Sequence, residues 1–101
     1  MFVRMTFNRD DPAVVDEANA MYNSEEVSGV IGQQKGHRFH YLLQSVEDPT
    51  EGVTVTAWDS REDAEAYAAQ SGPFKELLGK FTRWHTRPAE VRTYEVVGGG
   101  E

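Results

Sequence analysis

Apolar residues in the first strand-length stretch of the chain fall on every second position. Val3, Met5 and Phe7 share one side, and Phe2, Arg4, Thr6 and Asn8 share the other, which is the period of a half-buried β-strand. Asp10-Asp11-Pro12 follows, an N-cap candidate with proline at the first helical position. Val14, Val15, Ala18, Met21 and Tyr22 then recur at helical spacing, giving a helix of about four turns. It ends between Asn23 and Glu26. Residues 27–36 carry Gly29, Gly32 and Gly36 and read as a loop or an extended lead-in.

His37 to Val46 reads as a second strand, with β-prone residues on both sides. Residues 47–52 (EDPTEG) make a polar hairpin connection. Val53 to Trp58 alternates valine and threonine as a third strand. Ser60-Arg61-Glu62-Asp63 has the spacing of a capping box, and Ala64, Tyr67 and Ala68 continue that helix. Ser71-Gly72-Pro73 breaks it and starts a second helical piece bearing Phe74, Leu77, Leu78 and Phe81. Pro88 marks a turn, Val91 to Val97 is the last strand, and residues 98–101 are a flexible tail. One α+β domain over residues 1–97 is expected.

The order is strand, helix, strand, strand, helix pair, strand. Crossovers between parallel strands are right-handed almost without exception. Two of them interleaved in one antiparallel sheet place every helix on the same face. The apolar side, with Val3, Met5, Phe7, Val53, Val55 and Ala57, is expected to lie under the helices. Phe2, Arg4, Thr6, Asn8, Thr54, Thr56 and Trp58 then occupy a face that no helix covers. Such a face needs a partner sheet or a ligand pocket over it, and a homodimer with its sheets face to face would supply both.

Composition narrows the classes of function. The 101 residues carry a formal net charge of −7, which argues against nucleic-acid binding because phosphates need Lys and Arg. No apolar run reaches the ~20 residues of a membrane span. The absence of cysteine excludes disulfides and thiolate sites and suits a cytoplasmic protein. No GxGxxG or P-loop pattern supports a nucleotide cofactor.

Thr54-Val55-Thr56-Ala57-Trp58-Asp59-Ser60-Arg61-Glu62-Asp63-Ala64, then Ser71-Gly72-Pro73-Phe74, then Val91-Arg92-Thr93-Tyr94-Glu95-Val96, together resemble the antibiotic biosynthesis monooxygenase domain family. The likeness runs over about residues 2–97. It implies a ferredoxin-like subunit that pairs into a dimeric α+β barrel. It also implies a small-molecule activity, with cofactor-independent oxygenation of phenols or quinols foremost. Isomerisation and non-catalytic binding on the same scaffold are the alternatives. Asn8-Arg9 matches a dipeptide of the haem-degrading subgroup. That subgroup's helical tryptophan falls on Tyr67, however, and its iron-ligating histidine on Leu78. Haem degradation is therefore disfavoured, and no cofactor is expected.

Within that frame, Asn8 at the end of the first strand can donate a hydrogen bond to a substrate oxygen or to dioxygen. His40 can act as a general base. Arg4, Thr56, Trp58, Tyr67 and Trp84 are expected to wall a pocket for a small aromatic ligand. His37 and His40, three apart on a strand, should point to opposite faces and make a poor chelating pair. No metal site is expected.

Overall fold

The computed structural model describes residues 1–100. Four strands form one sheet in the order β2-β3-β1-β4. They are β1 Phe2–Arg9, β2 His37–Gln44, β3 Glu51–Trp58 and β4 Glu90–Glu95, with every neighbouring pair antiparallel. Between β1 and β2 the chain makes a 3₁₀ turn at Pro12–Val14, α1 at Val15–Tyr22, a π-helical turn at Glu25–Gly29 and a single turn, α2, at Val30–Gly32. Between β3 and β4 run α3 Arg61–Ala68, α4 Pro73–Gly79 and a 3₁₀ stretch Lys80–Trp84. This is the βαββαβ α+β fold expected from the sequence. Among the described residues, no helix is long and apolar enough to cross a membrane.

Local chemistry sets the helix starts. The Asp11 side chain accepts from Ala13 N–H, and Ser60 Oγ accepts from Asp63 N–H at 3.1 Å, each satisfying an amide that the helix leaves free. The glycine-bearing segment 27–36 departs from expectation. Its first part is helical, and Val27 and Ile31 are fully buried with Tyr22 as the centre of the core. Their spacing of four is a helical repeat, which the glycines obscured. Leu42 of β2, Leu77, Leu78 and Phe81 pack against this centre.

The side of the sheet that the helices cover is the reverse of the one expected. Register pairs Arg4 with Thr56, Thr6 with Thr54 and Asn8 with Gly52, and His40 and Leu42 continue those rows on β2. This polar row faces the helices: Trp58 stacks on Tyr67 of α3 at 4.8 Å between ring centroids, and Arg4 lies over the same tyrosine. Met5, Phe7, Val53 and Val55 face the other way, beside Tyr41 and Leu43 of β2, and no helix covers them. Tyr41 and Leu43 are 59% and 48% exposed. The membership of each row was correct; the side given to it was not.

Gly36 closes the turn into β2 at φ +79°, a backbone region that β-carbons resist. A β-carbon there would also collide with the Asp63 carboxyl at the start of α3. Gly36→Ala should therefore cost at least about 1 kcal/mol. The expected reading is a lower urea midpoint with an unchanged slope. An unaltered midpoint would show that the turn relaxes freely.

Candidate functional site

A cavity of about 250 Å³ lies between the helix-facing side of the sheet and the helices. Its floor is the polar row of β1 and β3, including Arg4, Thr6, Asn8 and Thr56. Its roof is mostly apolar, with Ala18 and Tyr22 of α1, Ile31, Leu78 of α4 and Phe81 beside the polar Asn19 and Thr82. An apolar chamber with a few convergent polar groups is the usual form of a small-molecule site. Its size, below the roughly 300–1,000 Å³ of drug-sized pockets, suits one or two aromatic rings.

Strand alternation brings Arg4 and Asn8 to the same side, while helix α3 carries Tyr67 above Arg4. Asn8 sits opposite Gly52, and a β-carbon at Gly52 would come within 2.9 Å of Asn8 Oδ1. The missing side chain leaves room for the Asn8 amide beside β3. Arg4 pairs with no carboxylate among the described residues, whereas Arg92 bonds Glu90 at 3.0 Å. The guanidinium is thus left for the Tyr67 ring and for whatever enters the cavity. Burial pushes the Tyr67 hydroxyl above the ordinary phenol range, and nearby Arg4 only partly offsets it.

The expected pocket residues divide. Arg4, Thr56 and Tyr67 line the cavity together with Asn8. Trp58 stands behind them, fully buried, with its Nε1 donating to Thr56 Oγ1 at 2.9 Å. It supports the wall rather than forming it. Trp84 packs against Phe81 and under Arg83, away from the lining.

His40 is not in this cavity. It lies in a neighbouring shallow depression with Ser28, Asn19 and Asn23. Arg4, the β1 residue in its row, is four residues from Asn8, or roughly 13 Å along the strand. Both ring nitrogens of His40 are engaged: Nε2 with Ser28 Oγ at 2.6 Å and Nδ1 with His37 Nε2 at 2.8 Å. Burial, and then the neighbouring His37, hold its pKa below the usual histidine range. The two histidines share a face because the β2–β3 register shifts between His37 and Phe39. An irregularity of this kind undoes the alternation of a regular strand. Among the described residues, no group of three or more His, Asp or Glu side chains converges as a metal site.

Sequence reasoning overlooked three cavity residues. The Tyr22 hydroxyl is buried with no hydrogen-bond partner, and burial pushes its pKa up, so it stays protonated. Asp10 and His85 meet at the far end of the cavity, beyond Asn8. For Asp10 the alternation of β1 was a usable signal, since it continues the row of Asn8. His85 had none.

Comparison with known proteins places this architecture. Residues 22–85 match the model of the family described as antibiotic biosynthesis monooxygenase. Among solved structures, a Nitrosomonas europaea protein that carries the same family's name is similar at 18% identity and TM-score 0.82. The match covers 97% of this chain and 100% of that one. A variant of SnoaB, a cofactor-independent oxygenase from Streptomyces nogalater, is similar at 15% identity and TM-score 0.80, over 97% and 94% of the two chains. A conserved protein from Methanosarcina mazei is similar at 17% and 0.77, over 93% and 91%. At these identities the likeness speaks to the fold. No curated protein sequence matches the chain.

Proposed function

The chain belongs to the antibiotic biosynthesis monooxygenase family, and from that premise we propose that it oxygenates a small phenol or quinol, using electrons from the substrate itself. The observation that carries this reading is the cavity, in which Asn8 and unpaired Arg4 face a mostly apolar roof. A deprotonated phenol can pass electrons to dioxygen directly. The protein then needs to exclude water, hold the ring and stabilise developing negative charge. For a phenol the balance closes as phenol plus dioxygen giving quinone plus water. A C–O bond forms at the ring carbon, the hydroperoxide O–O bond breaks as that carbon loses its proton, and the second oxygen leaves as water.

In this scheme the Asn8 amide donates to the substrate oxygen as it becomes anionic. Arg4 offers positive charge where dioxygen is reduced. Tyr67 and Tyr22 bound the ring. Leu78, at the position that the family resemblance gives to an iron-ligating histidine, presents an alkyl chain to the cavity, which disfavours haem as substrate. His40, with both nitrogens engaged, is left out of the chemistry. Oxygen uptake over a panel of phenols and quinols, with chelator present, tests the proposal. Uptake with stoichiometric quinone is expected. Ligand binding without turnover across the panel would instead support a non-catalytic binding module.

The open apolar side of the sheet belongs to the same proposal. Half-buried Met5, Phe7 and Val53 and exposed Tyr41 and Leu43 share the apolar side that no helix covers, a patch of the kind that marks an interface, and a second copy of the sheet is its occupant. The protein is expected to sediment at twice the chain mass at micromolar concentration, and Met5→Lys should shift it toward monomer. A wild-type protein that sediments as a stable, folded monomer would overturn the dimer.

A further inference from the structure

The end of the cavity beyond Asn8 is closed by two segments distant in sequence. Asp10 pairs with His85 as an isolated β-bridge. Asp11 N–H donates to the Trp84 carbonyl and Thr86 N–H to the Arg9 carbonyl, both at 2.8 Å. Backbone bonds on either side thus clamp the two side chains in place. His85 Nε2 lies 3.6 Å from Asp10 Oδ1, with the side chains only 10% and 16% exposed. That separation is too long for a hydrogen bond, and Asp10 Oδ1 is buried with no hydrogen-bond partner among the described residues. Burial pushes the Asp10 carboxyl above its ordinary range, and His85 partly pulls it back. A desolvated carboxylate oxygen with no donor beside it is unfavourable, and a positive charge placed next to it relieves that cost.

We propose that His85, backed by Asp10, is the catalytic base that takes the hydroxyl proton of a phenol bound in this cavity. The proposal rests on the oxygenase reading for its purpose, not for its geometry. In the step, the phenol O–H bond breaks and an N–H bond forms on His85. The electron pair stays on the phenolate oxygen. Nε2 is turned to the carboxylate, which leaves Nδ1 as the accepting nitrogen. Asp10 then faces an imidazolium, and the attraction in this poorly solvated corner stabilises the transferred state. Asp10 stands two residues from Asn8 on the same side of the strand, about 7 Å away. A single ring can therefore present its oxygen to both the Asn8 amide and the His85 ring. The ligand class is a neutral phenol, delivered with its proton, rather than a carboxylate or a phosphate.

4-Nitrophenol is a suitable probe because it is too electron-poor to feed dioxygen, and its phenolate absorbs visible light where the neutral form does not. At a pH where the free probe is mostly neutral, binding to the wild-type protein should raise the phenolate band. His85→Gln and Asp10→Asn should still bind the probe, with the bound phenolate-to-phenol ratio at least tenfold lower. Far-UV circular dichroism checks that each variant is folded, and either variant alone decides the result. Binding without a phenolate gain in the wild type, a gain retained in a folded variant, or a probe that does not bind would each overturn the proposal. Failure of the oxygenase reading looks different: no oxygen uptake by wild type with any quinol, while the phenolate gain persists.

Discussion

Asn8→Ala is expected to lower kcat for quinol oxygenation by roughly 10²–10³-fold, the scale on which a single oxyanion donor acts. Asn8 is an uncharged amide on the cavity floor, lying in the space that Gly52 leaves. As the substrate oxygen becomes anionic, a donor already in place costs no reorganisation. In a chamber with a mostly apolar roof its contribution is not diluted by water. KM should change far less than kcat, because the interaction strengthens as charge develops. The variant should remain folded, since Asn8 lies outside the Tyr22, Val27 and Ile31 core. Gly52→Ala supplies an independent check. Its β-carbon would crowd Asn8 Oδ1 and should reproduce part of the loss without removing the amide. A kcat for Asn8→Ala within twofold of wild type would sink the role given to this residue.

Trp58→Ala is expected to be the most destabilising single truncation, at about 3–5 kcal/mol. Trp58 is fully buried at the end of β3, stacked on Tyr67, edge-on to His37 and donating to Thr56 Oγ1. Truncation removes this packing, opens a void that rigid strands fill poorly, and leaves the Thr56 hydroxyl without its donor. Domains of this size hold about 5–15 kcal/mol in all, so roughly a fifth or more of the stability is at stake. Urea unfolding followed by far-UV circular dichroism measures it. A loss below about 1 kcal/mol would mean that Tyr67 collapses into the space. Trp58→Phe keeps most of the ring and should recover a large part of the loss.

Much of the secondary structure was legible because it depends on neighbours in the chain. The β1 alternation, the Asp11-Pro12 and Ser60–Asp63 helix starts and the break before Pro73 all appear where local chemistry puts them. The helical turns at 25–32 were missed because glycines weighed against a repeat carried only by Val27 and Ile31. The His37–His40 pair was misread because a shift in register changes the parity of a strand. Such a shift depends on how the neighbouring strand lies.

What the sequence by itself determined is which side chains travel together: Arg4, Thr6 and Asn8 in one row, Val3, Met5 and Phe7 in the other. The period of a strand allows no other grouping. Which row lies beneath the helices was decided only by the tertiary structure. The crossovers are right-handed either way, but the parity with which each strand enters the sheet is set by the turns before it. Hydrophobicity pointed the other way, because a single chain would gain most by burying its valines under its own helices. The fold instead places the polar row there and leaves the apolar row without a helix over it. The Asp10–His85 pair was likewise invisible in the sequence. Its members lie at opposite ends of the chain, and only the bridge between the end of β1 and the segment after Trp84 brings them to one cavity.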